Sequence, residues 1–174
     1  AACLSARIRV ADFAPSRSQR KNLTRNGHLV RDATSPWATD EQYQLLRRYL
    51  AARHPTGGMV GMDEMDYADM VEQSPVNSVI VEYRAPAENG VPGALIGACL
   101  TDRQADGLSM IYSFFDPDDA AWPGLGNLII LDHIQRAHEA GLDYVYLGYW
   151  VKGSARMAYK TRYRPIEVLG PRGW

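Results

Sequence analysis

DGLSMIYSFFDPDDAAWPGLGNLIILDHIQRAHEAG, residues 106–141, is the stretch on which the fold turns. Leu108 to Phe115, after the Ala105-Asp106-Gly107 turn, is rich in aromatic and branched side chains and predicts a strand. Gly124 to Ala140 then sets Leu125, Leu128, Ile129, Ile134 and Ala137 on one face of a helix that Gly141 stops. An acidic, breaker-rich loop joins the two. Working back, Val79 to Tyr83 and Ala94 to Thr101 read as strands separated by the polar segment Pro86–Gly93, so three strands make an antiparallel meander. Working forward, Tyr144 to Tyr149 predicts another strand, Ser154 to Arg162 a short helix and Pro165 to Leu169 a last extended piece. Ahead of the meander, Ala6 to Phe13 alternates as a half-buried strand, Pro15-Ser16 opens a basic helix to about Arg25, and His28 to Arg31 returns as a short strand. Thr39 or Asp40 caps a helix with Tyr43, Leu46, Tyr49 and Leu50 at helical spacing, and a shorter helix follows over Met62 to Val71.

A chain of 174 residues with 46% hydrophobic and 22% charged residues has the make-up of one globular domain, which excludes wholesale disorder and fibrous repeats. No apolar run approaches the roughly 20 residues needed to cross a bilayer, so no membrane span is expected. The first residues lack the basic start and apolar stretch of a secretory signal. Two cysteines, Cys3 and Cys99, give no disulfide framework, and a reducing cytoplasm is the natural setting. The net charge of −1 conceals an asymmetry: residues 1–31 carry +6, residues 151–174 carry +5 and the middle carries −12. Basic ends that fold together would make a patch for an anionic partner such as RNA, whereas each alone is an ordinary solvated face.

The order of elements is α+β, with a mixed, mainly antiparallel sheet flanked by helices, and it fits the acyl-CoA N-acyltransferase, or GNAT, architecture. In that fold the long helix starts beside a splayed strand end, with its free backbone N–H groups facing the acyl donor. The Q/R-x-x-G-x-G/A loop that GNAT acetyltransferases use on the CoA pyrophosphate is absent here, and Asp118 and Asp119 would repel that group. Acetyl-CoA is therefore a poor donor candidate.

Five stretches, FAPSRSQRKN (13–22), YLAARHPTGGM (49–59), DGLSMIYSFFDPD (106–118), LGNLIILDHI (125–134) and YVYLGYWVKGSARMAYKTRYRPIEVL (144–169), resemble the aminoacyl-tRNA–protein transferases of the N-degron pathway. The likeness covers essentially the whole chain and is greatest to the bacterial aspartate/glutamate leucyltransferases, with the eukaryotic arginyltransferases more distant. It implies a GNAT-like catalytic half that moves leucine from leucyl-tRNA to proteins with N-terminal Asp or Glu, marking them for degradation. An arginyl donor, or a non-catalytic module that binds acidic N-termini or RNA, are the alternatives. Family members carry a further cysteine-bearing region before a strand like ARIRV, of which only Cys3 has a counterpart. Residues 1–35 are accordingly expected to be a basic β-α-β segment left from, or linking to, that region, and residues 36–174 the transferase domain. One lone cysteine makes no metal site, Cys99 belongs to an apolar strand, and neither metal nor cofactor is expected.

Aminolysis of an aminoacyl ester asks the protein to position two reactants, deprotonate an amine and hold an oxyanion. Asp116, at a strand end near the helix start, is suited to orienting the acceptor ammonium or to capping a turn. Tyr112, Tyr146 and Tyr149 lie on strands flanking the same gap, suited to oxyanion donation, to stacking on the terminal adenine, or to core packing. An acidic acceptor side chain needs a cation, for which Lys160, Arg162 and Arg164 are the candidates. Arg17, Arg20 and Lys21, with Lys152 and Arg156, are the expected phosphate contacts to the tRNA acceptor end. Trp150 either lines a pocket for the donor side chain or is buried, and His54, His133 and His138 read as surface or helix residues without a role.

Overall fold

The structure is a computed structural model and describes residues 3–174. Its elements are β1 (Cys3–Arg9), α1 (Arg17–Arg25), β2 (Val30–Thr34), α2 (Asp40–Arg53), α3 (Glu64–Glu72), β3 (Ser78–Arg84), β4 (Leu95–Arg103), β5 (Gly107–Phe115), α4 (Leu125–Glu139), β6 (Tyr144–Val151) and β7 (Ile166–Val168). Short 3-10 helices cover Val10–Asp12 and Ala155–Arg162. Three helices start where the sequence supplies reciprocal caps: Ser16 with Gln19, Thr39 with Gln42, and Asp63 with Asp66.

Two strand boundaries differ from the sequence reading. β1 stops at Arg9 because Val10–Asp12 close into a 3-10 turn, with the Phe13 N–H donating to the Val10 carbonyl. β2 begins only at Val30, since the Leu29 N–H donates to the Asn26 carbonyl and holds His28 and Leu29 in a turn.

Seven strands form one sheet in the order β2-β3-β4-β5-β6-β1-β7. β2 to β5 are antiparallel, as are both neighbours of β1, while β5 and β6 are parallel. The expected division near residue 35 separates no unit, because β1 lies between β6 and β7, and β2 continues the meander. The order β1-α1-β2 is present, with shifted strand bounds and as part of the same sheet.

One irregularity in β5 decides what faces what. Leu100 lies opposite Tyr112 and Thr101 opposite Met110, so Ile111 is an extra residue, a β-bulge. Before it, Leu108 and Met110 pack toward α4; after it, Tyr112 and Phe114 pack toward α2 and α3. Because side chains alternate along a strand, the bulge turns Ser113 and Phe115 to the α4 side.

Candidate functional site

β5 and β6 pair only from Gly107 to Ser109 against Tyr144 to Tyr146, and beyond that they diverge. The head of α4 sits at the opening of a cleft of about 560 Å³. Phe115, Leu125 and Ile130 give it apolar walls, Tyr49, Arg53 and His54 approach from the end of α2, and Arg156 and Tyr159 come from the 3-10 helix. Ser113, Asn127 and Asp119 supply the remaining polar groups.

Local structure explains why α4 begins bare. Its N-cap is Gly124, at φ 75°, and no side chain caps the first turn. The first N–H to bond back within the helix is that of Leu128, to the Gly124 carbonyl, so the amides of Leu125, Gly126 and Asn127, which line the cleft, have no partner in the helix. α1 secures this start, since Asn22 Nδ2 donates to the Gly124 carbonyl at 2.9 Å. Gly126 allows close approach of Phe115, whose ring would lie 3.0 Å from a Cβ there. The buried Tyr163 hydroxyl donates to Asn127 Oδ1 at 2.6 Å, which leaves the Asn127 amide N–H groups free to donate.

The charged groups are mostly committed. Arg53 pairs with Asp119 at 2.8 Å, and its guanidinium lies 5.6 Å from the Phe115 ring centroid. The Tyr49 hydroxyl is 3.4 Å from His54 Nε2, and its ring packs on Phe115. Burial raises the Tyr49 and Tyr159 phenol pKa values above the ordinary range, so both stay protonated.

Of the expected site residues, Arg156 alone lines the cleft, although its anticipated partner was a phosphate. Asp116 lies just outside, in a turn where its Oδ1 accepts from the Asp118 N–H at 3.0 Å and Arg48 approaches to 3.8 Å. The loop 117–123 separates it from the helix start. Tyr112 is turned to the opposite sheet face by the bulge, packed beside Phe114, and burial pushes its pKa up to about 12. Tyr149 is 60% exposed, Tyr146 donates to Asp106, and Trp150 is half-buried opposite Leu4.

Lys160 is not aimed at an occupant of the cleft: its buried ammonium donates to the carbonyls of Leu147 and Tyr149, where burial lowers its pKa. Arg162 is exposed, and its carbonyl accepts from Gln19 Nε2. Arg164 lines a separate shallow groove with Asp12 and Thr161. Arg17 and Lys21 share a groove on α1, Arg20 donates to the Pro15 carbonyl, and Lys152 is exposed. The contact between Gln19 and Arg162 joins the two basic ends of the chain at one surface.

His133 is a helix residue but not a surface one. It is fully buried, hydrogen-bonded to Thr101 and the Ile129 carbonyl, with its pKa lowered by desolvation. His54 is the converse, dismissed on sequence yet present in the cleft wall. The cleft pairing of Tyr49 with Phe115 is non-local, and in the sequence only the stretch YLAARHPTGGM points to this neighbourhood.

A parallel strand pair that splays around the head of an uncapped helix defines a GNAT-like fold. In line with it, the chain is similar to the GCN5-related glucosamine N-acetyltransferase region of a fungal multi-domain β-N-acetylglucosaminidase, with TM-score 0.54 and 9% identity over 95% of this chain and 19% of that one. It is also similar to L-PGS from Bacillus licheniformis, with TM-score 0.64 and 14% identity over 94% of this chain and 56% of that one. Residues 41–170 match the family described as "Arginine-tRNA-protein transferase, C terminus", and the chain belongs to that family. It is 68% identical to an aspartate/glutamate leucyltransferase of Sphingomonas elodea, over 99% of this chain and 66% of that protein. Against the protein of that name from Cereibacter sphaeroides the identity is 54%, over 99% and 61%. The chain thus spans 61% to 66% of the length of these two curated relatives.

Proposed function

We propose that this chain transfers leucine from leucyl-tRNA to the α-amine of proteins that begin with Asp or Glu. The observation that carries the reading is the cleft: free helix-head amides beside apolar walls suit an aminoacyl ester whose carbonyl oxygen becomes an oxyanion. The walls also favour leucine over arginine. A guanidinium against Phe115, Leu125 and Ile130 would need a carboxylate, and the one in the lining, Asp119, is already held by Arg53.

Arg156 is the cation best suited to an acceptor carboxylate, and the joined basic surface of α1 and the 3-10 helix suits the phosphates of the tRNA acceptor end. Asp116, held near the cleft by its turn, orients the acceptor ammonium. A tRNA-dependent reaction implies a cytoplasmic setting, consistent with the described residues, among which no helix is long and apolar enough to cross a membrane.

The test is transfer of radiolabelled amino acid from a charged tRNA mixture to peptides beginning with Asp, Glu, Arg or Ala. Leucine on the Asp and Glu peptides alone is expected. Label arriving as arginine would select the arginyl alternative, and binding of acidic peptides without transfer would select the non-catalytic one.

A further inference from the structure

We propose that Tyr49 and His54 form the proton relay that deprotonates the attacking nitrogen. The inference rests on the transfer reading above. Both residues line the cleft, the Tyr49 hydroxyl stands 3.4 Å from His54 Nε2, and their ring centroids are 5.5 Å apart. Catalytic hydrogen bonds are often this long in ligand-free sites and tighten in the substrate complex.

The direction of the relay follows from the groups present. Burial opposes ionisation of Tyr49, so it remains a phenol with a proton to pass, and in the relay it donates to Nε2. That leaves the proton of a neutral His54 ring on Nδ1. Tyr49 reaches inward to Phe115, whereas His54, at the C-cap of α2, is exposed to water.

Other bases are spoken for. Asp119 is bound by Arg53, Asp116 accepts within its own turn, and His133 is buried and bonded on both nitrogens. Besides Arg53 and Asp119, the charged or titratable groups that face the pair are Tyr112 from β5 and Tyr159 and Arg156 from the 3-10 helix.

The neutral amine forms a C–N bond at the ester carbonyl, giving a tetrahedral adduct with a protonated nitrogen. One N–H proton passes to the Tyr49 oxygen as the Tyr49 proton passes to His54 Nε2. Collapse of the adduct breaks the C–O bond to the ribose, and the proton on His54 returns through Tyr49 to the departing ribose oxygen. The net result is one proton moved from nitrogen to oxygen. Tyr49 is the catalytic residue in this scheme, and His54 acts through it as a positioning and proton-holding partner.

The experiment measures kcat and KM for transfer to an Asp peptide by the 174-residue chain, Tyr49→Phe, His54→Ala and the double variant, from about pH 6 to 9. Each single change is expected to lower kcat by about 10²-fold with KM nearly unchanged, and the double variant to lose no more than the worse single one. Added imidazole restores His54→Ala but not Tyr49→Phe. A long-range proton–nitrogen spectrum of the free protein, which needs no activity, is expected to find His54 as the Nδ1–H tautomer. Undiminished kcat in either single variant, a parallel loss of melting temperature, or an Nε2–H tautomer overturns the relay while leaving the transfer reading intact. If the unmodified chain transfers nothing from any charged tRNA, the transfer reading falls and the relay with it.

Discussion

A lysine ammonium driven into a protein interior costs free energy unless oxygen atoms receive its protons, and Lys160 meets the carbonyls of Leu147 and Tyr149. Those carbonyls belong to the part of β6 that has left β5, so the side chain substitutes for a missing neighbour strand on that stretch. Lys160→Met keeps the bulk and removes the donors. It should destabilise the chain by about 1–3 kcal/mol in urea titration and depress transfer to Glu-initiated and Gln-initiated peptides in parallel. Arg156→Gln, in an exposed residue, should leave stability unchanged and selectively raise KM for the Glu peptide. Sequence spacing chose Lys160 for recognition because YKTRYRP shows a cluster of cations; it does not show which ammonium turns inward. Tyr49 is silent in the sequence for a related reason: its place in the cleft comes from Phe115, distant in sequence and adjacent in space, and His54 enters through Tyr49.

At the scale of elements, periodicity made α4, the meander and β6 legible, because each buries one clear apolar pattern. The β5 bulge was not. In Leu-Ser-Met-Ile-Tyr-Ser-Phe-Phe both faces carry apolar residues, so an extra residue breaks no visible alternation. The short edge strand β7 is legible only as an extended piece, and ion pairs add to the ladder that holds it against β1. Glu167 bonds Arg7 at 2.7 Å and also pairs with Arg9, and Arg7 is stacked between Tyr144 and Trp174. Burial works to raise the Glu167 pKa, but the bonds from Arg7 and Arg9 outweigh it, and the net shift is downward. A carboxylate depressed in the folded state contributes stability that is fully present above its unfolded pKa of about 4.3 and is lost as pH falls through the lower folded value. Acid titration should therefore weaken the chain below about pH 4, and Glu167→Gln should remove that part of the pH dependence. A denaturation midpoint series against pH, run on both proteins, checks it.

At the scale of the whole molecule, the opposed charges of the sequence acquire a geometry. The basic N-terminal helix and the basic C-terminal segment touch where Gln19 Nε2 donates to the Arg162 carbonyl. Arg17→Ala, Arg20→Ala and Lys21→Ala combined should weaken tRNA binding and flatten its salt dependence by about 0.7–0.9 log units of slope per lost phosphate contact. Unchanged affinity across a salt series would exclude that face.

The brief parallel pairing of β5 with β6 also divides the molecule lengthwise. One core gathers α2 and α3 on the meander strands, a second gathers β1, β6 and the middle of α4, a third packs the head of α4 on β3 and β4, and among the described residues three residue pairs make up the ladder between β5 and β6. The chain is built like two pages sharing a short spine, with α4 laid across the join. Amide exchange would register this as two families of opening events, with the β6–β1 ladder and the β3–β4 ladder each internally uniform but separable in free energy. A ligand wedged between the pages, touching both, would raise the slower-protected page and the faster one together, converting two breathing units into one.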